Sequence, residues 1–176
     1  MIRKVNKPSI ILQIKPGTIL ISGSTLDDPN FEQVVIFITE YNQNGAMGFV
    51  INKLHPRKFN ELVEFKNSKS FSLYEGGPVE YESLFFLHNR PDLIEGGIHV
   101  VDSVFLGGDF KKAVSGINSG ILNENNLKLF IGYCGWDFGQ LEEEIEEGSW
   151  IVHDTTTQTV FNDSSIDLWD QLFPSL

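Results

Sequence analysis

Cysteine is nearly absent from this sequence, and long hydrophobic runs are missing altogether. The 176 residues contain one cysteine, Cys134, which excludes an internal disulfide and fits a reducing compartment. No apolar stretch approaches the roughly 20 residues that a transmembrane helix needs. The apolar residues 10–12 are too few for the hydrophobic region of a signal peptide. These absences predict a cytoplasmic protein.

Lysine and arginine are missing from the last quarter of the chain. The protein has 13 Lys and Arg against 24 Asp and Glu, a net charge of −11. Ten of the acids and no Lys or Arg lie between Leu129 and Leu176. Because duplex DNA is bound through contacts of Lys and Arg with phosphates, a surface built from this quarter would repel it. A basic protein partner or a cation is better matched.

Nucleotide-binding and metal-binding patterns are also missing. The turn at Gly76-Gly77-Pro78 lacks the Lys-Ser/Thr pair of a P-loop, and no Gly-x-Gly-x-x-Gly occurs. The four histidines are scattered without the spacing of zinc ligands. The glutamates within residues 142–147 spread around a predicted helix, so a solvated, charged surface is favoured over a cation site. No metal and no cofactor is predicted.

The patterns that are present alternate irregularly between strand and helix. The run at residues 34–39 is β-branched and apolar on both faces, which predicts a central strand. Asn44-Gly45 predicts a tight hairpin, and Gly48 in the returning strand indicates a bulge or a close backbone approach. Asp109 is the predicted N-cap of a helix that ends near residue 115.

Strands and helices mixed in this way, with hairpins among them, favour an α+β fold over a doubly wound α/β fold. The length of the chain suits one domain with a substantial core. We therefore predict a tail at residues 1–15 and a single domain at residues 16–176.

The most informative stretch is residues 132–142, Gly-Tyr-Cys-Gly-Trp-Asp-Phe-Gly-Gln-Leu-Glu. It predicts a buried strand that stops, turns on glycine and leads into a helix over residues 138–147. Asp137 is the expected N-cap of this helix, and Gln140, three residues later, completes a pattern like a capping box. The residues expected to share its buried face are Phe138, Leu141 and Ile145.

Four segments, taken in order, resemble the AlgH/YqgE family. They are Asp28-Pro29-Asn30-Phe31, the nine residues from Asn44 to Asn52, Gly76-Gly77-Pro78-Val79, and Gly132-Tyr133 with Gly135-Trp136 and Gly139-Gln140-Leu141-Glu142. The likeness extends over roughly residues 16–152. It implies a bacterial cytosolic protein whose bifurcated, mostly antiparallel sheet is partly closed as a small barrel and surrounded by helices. The family is often labelled as transcriptional regulators, and it brings no established biochemical activity.

Cys134 departs from the resemblance, because members of that family usually carry Ala or Ser at this position. Its place between a strand and a helix is similar to the nucleophile elbow of hydrolases, but Trp136 stands where the elbow requires glycine. No histidine is paired with it in sequence as a base. A buried, unreactive cysteine is therefore predicted.

The four segments carry polar and amphipathic side chains within glycine-rich turns. The candidate ligand-binding residues are Asp28, Asn30, Phe31, Asn44, Asn52, Gly77, Pro78, Trp136, Gln140 and Glu142. Two interpretations stay open for them. They line a shallow pocket, or they satisfy buried backbone groups where strands separate.

The preferred hypothesis is a non-catalytic binding or regulatory protein that acts through such a pocket and an acidic face. Its partner would be a basic protein or a small ligand, and any effect on transcription would be indirect. The alternative is a hydrolase that uses Asp28 with Asn30 or Glu142 as acid–base groups. Direct DNA binding ranks last, because no helix rich in Lys and Arg is evident. The oligomeric state is not predicted.

Overall fold

The structure is a computed structural model that describes residues 14–24, 26, 28–153, 159–161 and 167–173, with the backbone but not the side chain of Asn30. Nearly all of the tail predicted at residues 1–15 therefore lies outside the described residues. The described strands are β1 (Ile19–Ser22), β2 (Val35–Asn42), β3 (Gly45–Val50), β4 (Leu73–Glu75), β5 (Val79–His88), β6 (Ile98–Val101), β7 (Val104–Leu106), β8 (Leu127–Trp136) and β9 (Trp150–His153). The described α-helices are α1 (Phe110–Ser119), α2 (Gln140–Glu146) and α3 (Leu168–Leu172), and short 3₁₀ helices lie at Pro29–Phe31, Phe59–Glu61 and Val63–Phe65.

These strands form one sheet in the order β6-β7-β5-β8-β3-β2-β1-β9, with β4 attached to β8 outside this path. The β4–β8 pair is parallel, and the other pairs among the described strands are antiparallel. The sheet ends at β6 and β9, so it is not a closed barrel. The α+β class, the single domain and the mostly antiparallel sheet are as expected.

Strand β8 is where the sheet divides. Its first half lies between β4 and β5, while Cys134 to Trp136 pair with β3. Gly132, at the junction, has a positive φ of 72°. A Cβ placed on Gly132 would overlap the carbonyl oxygen of Gly77 and lie 3.0 Å from that of Val79. Glycine is therefore required here by both the backbone angle and the approach of a second chain segment.

Each helix covers a separate part of the core. Helix α1 packs Ala113 and Ile117 into a cluster with β4, β5 and the first half of β8. Helix α2 packs Leu141 and Ile145 against β1, β2 and the end of β8. Helix α3 contributes Leu168 to the remaining cluster. The predicted central strand is confirmed, because β2 lies between β1 and β3 and its first five residues are buried.

Two local expectations are confirmed. The predicted hairpin joins β2 to β3, although its turn lies at Gln43 and Asn44 and Gly45 already pairs with Asn42. The register shifts between Ile38 and Glu40, opposite Gly48 and Met47. Asp109 caps α1, accepting a hydrogen bond from the Lys112 backbone N–H at 3.3 Å. This helix runs four residues further than predicted, to Ser119.

The prediction for α2 was wrong at its start. The helix begins at Gln140 instead of Phe138, and Gly139 before it has a left-handed φ of 85°. That conformation turns Phe138 out of the helix, and its side chain is 75% exposed. The strand before it, β8, runs through Gly132 to Trp136, and the turn that leads into α2 contains Gly139, as predicted.

No helix in the described ranges combines the length and apolar character needed to cross a bilayer.

Candidate ligand-binding face

Three neighbouring recesses lie on the described surface. Recess 1, of about 550 Å³, is lined by Ser22, Gly23, Ser24, Leu26, Asp28, Pro29, Phe31, Glu32, Gln33 and Trp169. Recess 2, of about 440 Å³, is lined by Glu40, Asn42, Asn44, Gly45, Ala46, Met47, Val79, Tyr133, Gly135, Trp136 and Asp137. Recess 3, of about 270 Å³, is lined by Phe31, Val50, Lys53, Glu75, Gly77, Pro78 and Tyr81.

Recess 3 is related to both of the others through its lining residues. It shares Phe31 with recess 1. Its residue Pro78 is followed in the chain by Val79, which lines recess 2. We call the three recesses together the recess face.

Recess 1 is built around a 3₁₀ turn, Pro29–Phe31. The Phe31 backbone N–H donates to the Asp28 carbonyl at 2.9 Å, which closes the turn. On the opposite side, Trp169 of α3 donates its indole N–H to the Ser22 carbonyl at 3.1 Å. The recess therefore has aromatic walls and two carboxylates, those of Asp28 and Glu32.

Recess 2 lies between the β2–β3 hairpin and the end of β8. The hairpin approaches β8 so closely that a Cβ on Gly45 would overlap the Trp136 carbonyl oxygen. Asn42 fixes the turn by accepting a hydrogen bond from the Asn44 backbone N–H at 2.8 Å. Glu40 and Asp137 supply the carboxylates of this recess.

Recess 3 contains a tyrosine–carboxylate pair. The Tyr81 hydroxyl donates to Glu75 at 3.2 Å. Partial burial, followed by the nearby charge of Glu75, raises the pKa of Tyr81, so this hydroxyl stays protonated at neutral pH. Lys53 also lines the recess, which makes it the most mixed of the three in charge.

Trp136, which lines recess 2, belongs to an indole–carboxylate cluster with Trp150 and Glu144. Both indole N–H groups donate to the same Glu144 oxygen, at 2.7 Å from Trp136 and 2.9 Å from Trp150. The two rings meet edge to face, and Phe31 packs edge-on against Trp150 at 5.5 Å. The prediction that the α2 glutamates form a solvated surface was wrong for Glu144, which is half-buried and accepts from both indoles.

A second contact ties α2 to β2. The Tyr41 hydroxyl donates to one carboxylate oxygen of Glu142. Burial and then this carboxylate raise the pKa of Tyr41 to about 12. The other Glu142 oxygen is buried and has no hydrogen-bond partner among the described atoms. Glu142 therefore also departs from the solvated surface that was predicted for it.

Six of the ten predicted site residues line the recess face. Asp28, Phe31, Asn44, Gly77, Pro78 and Trp136 do so. The Asn30 side chain lies outside the described residues. Asn52, Gln140 and Glu142 are not among the residues that line the recesses. The assignment of a ligand to these residues stays a prediction.

Asn52 and Gln140 instead satisfy backbone groups. Asn52 accepts from the Val35 backbone N–H at 2.9 Å and donates to the Gln33 carbonyl at 2.9 Å. Gln140 accepts from the Asp137 backbone N–H at 3.0 Å, but the N-cap of α2 is Gly139, so the predicted Asp137 N-cap and its capping box were wrong. For Asn52, which is buried, the structure matches the interpretation that these residues satisfy buried backbone groups, whereas Gln140 and the N–H it accepts from are exposed.

Cys134 is buried as predicted, with 2% of its surface exposed. Its thiol donates to the Gly76 carbonyl, and burial raises the pKa of Cys134 to about 12. A thiol of this kind is not a nucleophile at neutral pH. The Asp28–Glu142 pair of the hydrolase alternative is not brought together in recess 1, which Asp28 lines and Glu142 does not.

Four histidines were considered as metal ligands. His88 is fully buried, its Nε2 lies 2.9 Å from the Gly107 carbonyl, and its Nδ1 accepts from the Arg90 backbone N–H at 3.2 Å. This pair of contacts fixes the neutral ring with its proton on Nε2. Within the described residues, no three His, Cys, Asp or Glu side chains are grouped so that they could hold a metal ion.

The branched, mostly antiparallel sheet places the protein in a class of single-domain α+β proteins with known structures. The fold matches that of a protein from Corynebacterium diphtheriae with a TM-score of 0.73, at 21% identity, over 90% of this chain and 85% of the other. It also matches the solution structure of AlgH from Pseudomonas aeruginosa, with a TM-score of 0.68 at 27% identity, over 84% of this chain and 80% of the other.

Residues 19–176 match the AlgH-like family, and the chain belongs to that family. A UPF0301 protein of Chlorobium limicola is 37% identical over 159 residues, covering 90% of this chain and 85% of the relative. A UPF0301 protein of Cytophaga hutchinsonii is 35% identical over 161 residues, covering 91% of this chain and 88% of the relative. The resemblance inferred from the four segments is thereby confirmed.

Proposed function

We propose that the protein is a non-catalytic binding protein of the cytoplasm, and that it recognises its ligand through the recess face. One observation carries this proposal: three recesses are lined by residues from the segments that also define the family likeness. Concave surfaces with aromatic walls and a few placed polar groups are the usual form of a binding site.

The walls of the recess face are held in place, which favours recognition of a defined ligand. The indole–carboxylate cluster fixes the position of Trp136. If Glu144 moved away, two indole N–H groups would lose their hydrogen-bond acceptor. The Tyr41–Glu142 contact ties the β2–β3 hairpin to α2. A preorganised site loses less conformational entropy when it binds.

A regulatory role, if the protein has one, would be exerted through another molecule and not by contact with DNA. Recesses 1 and 2 carry Asp28, Glu32, Glu40 and Asp137. Carboxylates repel the phosphates that dominate duplex binding. The recess face is therefore proposed as a surface for a protein or a small ligand.

Chemical-shift mapping tests the proposal without knowledge of the natural ligand. The isotope-labelled protein is titrated in turn with lysine methyl ester, guanidinium, acetate and indole, and backbone amide shifts are followed. We expect the shifts to cluster on residues of the recess face and to weaken in Phe31→Ala, whose ring belongs to two recesses. Phe138→Ala is the matched control, because this exposed ring is not among the lining residues.

Two results would contradict the proposal. Shifts that gather elsewhere, for example around α1, would move the binding surface away from the recesses. Turnover of a generic ester or phosphate substrate that disappears in Asp28→Asn would replace binding with catalysis.

A further inference from the structure

We infer that the recess face binds a basic segment of a partner protein, with an apolar side chain of that segment over recess 3 and its Lys or Arg side chains in recesses 1 and 2. This inference rests on the proposed function and adds the chemical class of the ligand. Apolar exposure and charge point to it independently.

The apolar evidence comes from Tyr81 and Val79. Among the exposed large apolar side chains of the described residues, Tyr81 is 50% exposed and lines recess 3, and Val79 is 38% exposed and lines recess 2. Leu54, 46% exposed, follows Lys53 of recess 3 in the chain. Exposed apolar side chains within polar surroundings mark an interaction surface.

The charge evidence comes from the recesses on either side. The described residues that line recesses 1 and 2 include no Lys or Arg, whereas Glu32, Glu40 and Asp137 are all exposed acids. Aromatic rings stand beside these acids: Phe31 and Trp169 in recess 1, and Tyr133 and Trp136 in recess 2. A carboxylate next to an aromatic face suits an ammonium or guanidinium group.

The arrangement favours a polypeptide over other cations. An apolar centre with a charged rim is the usual anatomy of a protein interface. A polypeptide offers an apolar side chain for Tyr81 together with basic side chains for the acidic recesses, whereas a free amine fills one recess and has no side chain for Tyr81. The partner segment would therefore contain an apolar residue with Lys or Arg on both sides of it in the sequence.

Fluorescence anisotropy with a designed probe tests the inference. The probe is a short labelled peptide with a central Leu flanked on each side by Lys and Arg, titrated with the full-length protein at low and at high salt. We expect saturable binding that weakens as salt rises. A peptide with Glu in place of Lys and Arg should not bind, and one with Ser in place of Leu should bind more weakly.

Paired variants separate the recess face from general charge. Glu32→Gln with Glu40→Gln should weaken binding of the probe about fivefold, as expected for two exposed ion pairs. Glu64→Gln with Glu95→Gln changes the net charge equally at exposed sites outside the recesses and should leave binding unchanged.

Tyr81→Ala should weaken binding about tenfold, as for a central interface residue. Val63→Ala, at an even more exposed position outside the recesses, is its control.

Three outcomes would overturn the inference. Equal weakening by both glutamate pairs would mean that the probe senses overall charge alone. Equal binding of the Leu and Ser peptides would remove the apolar anchor. Concentration-dependent dimerisation in analytical ultracentrifugation that is lost in Tyr81→Ala would make a second copy of this chain the occupant. If the peptide does not bind while the small probes still shift residues of the recess face, the inferred class of partner is wrong and the proposed function stands.

Discussion

At the scale of single residues, glycine decides how the sheet divides. Gly132 sits in the middle of β8 with a positive φ, and the Gly76-Gly77 turn passes close to it. The glycines of the family-like segments were noticed in the sequence as turn signals. That two of them touch each other across 55 residues, Gly77 and Gly132, follows from strand pairing, which a single sequence does not reveal.

Gly132→Ala is expected to destabilise the protein by about 3 kcal/mol, because it adds both backbone strain and an overlap with the Gly77 carbonyl. Gly107→Ala is the matched control. Gly107 has a similar φ of 70°, but nothing lies within 4 Å of its added Cβ, so about 1 kcal/mol of strain should remain. Urea unfolding measures both changes. Equal losses in the two variants would mean that the close approach contributes nothing.

His88 is expected to make stability depend on pH. Burial lowers the pKa of His88 below the 6.5 of an exposed histidine. Just below pH 6.5 the unfolded chain therefore binds a proton at this position that the folded chain does not bind. Stability contributed by the neutral ring is complete above pH 6.5 and is lost as the pH falls below that value towards the lowered folded-state pKa.

The measurement is the free energy of unfolding at a series of pH values for His88→Gln and for His99→Gln, which changes an exposed histidine. The first variant should flatten the loss of stability below pH 6.5, and the second should keep it. Parallel curves for the wild type and His88→Gln would show that other groups cause the dependence.

Cys134 is expected to resist thiol reagents in the folded protein. Burial and the pKa of about 12 for Cys134 keep the thiolate fraction negligible at neutral pH. Reaction with a chromogenic disulfide reagent should be undetectable in buffer and complete in guanidinium chloride. Rapid reaction of the native protein would contradict both the burial and the inert role assigned to this residue.

At the scale of elements, α2 shows where sequence reasoning succeeds and where it stops. Leu141 and Ile145 were correctly placed on its buried face, because spacing along a helix is a local property. Phe138 was misplaced, since a left-handed glycine separates it from the helix. Glu144 was missed because its partners, Trp136 and Trp150, meet it only through tertiary packing.

Strand β7 was missed for a comparable reason. It is three residues long and is joined to β6 by a tight turn in which Asp102 adopts a φ of 46°. Such turns usually signal themselves through Gly or Asn, and Asp-Ser gives a weaker signal. The Nε2 of His99, three residues before Asp102, also lies 2.7 Å from the Asp102 carbonyl oxygen and contacts this turn.

Glu144→Ala is expected to destabilise the protein by about 2 kcal/mol or more, because two buried indole N–H groups lose their shared charged acceptor. Glu143→Ala, one position earlier and exposed, is the control and should change stability by less than about 0.5 kcal/mol. Thermal unfolding followed by circular dichroism compares them. Similar melting temperatures would mean that water replaces the carboxylate at both indoles.

At the scale of the whole molecule, the fold class and part of the recess face could be predicted from the sequence. The ordered segments identified the family and named six residues that line recesses. The division of the surface into three recesses depends on the branching of the sheet at β8, and the contribution of Trp169 depends on α3 returning to β1. Neither is encoded in any one segment.

The charge of the whole protein predicts that it does not bind duplex DNA tightly. With a net charge of −11 and carboxylates on the recess face, no extended array of phosphate contacts is expected. Electrophoretic mobility at low salt, where such binding is strongest, provides the check. Tight binding with a steep salt dependence would contradict the prediction.

The three tryptophans give the protein a built-in optical reporter. Trp136 and Trp150 are buried around a shared carboxylate, whereas Trp169 stands in the wall of recess 1 with its ring edge towards β1. An occupant of recess 1 should therefore shift the emission of Trp169 and leave the other two nearly unchanged. Comparing the wild type with Trp169→Phe would assign the signal and allow unlabelled ligands to be screened by intrinsic fluorescence.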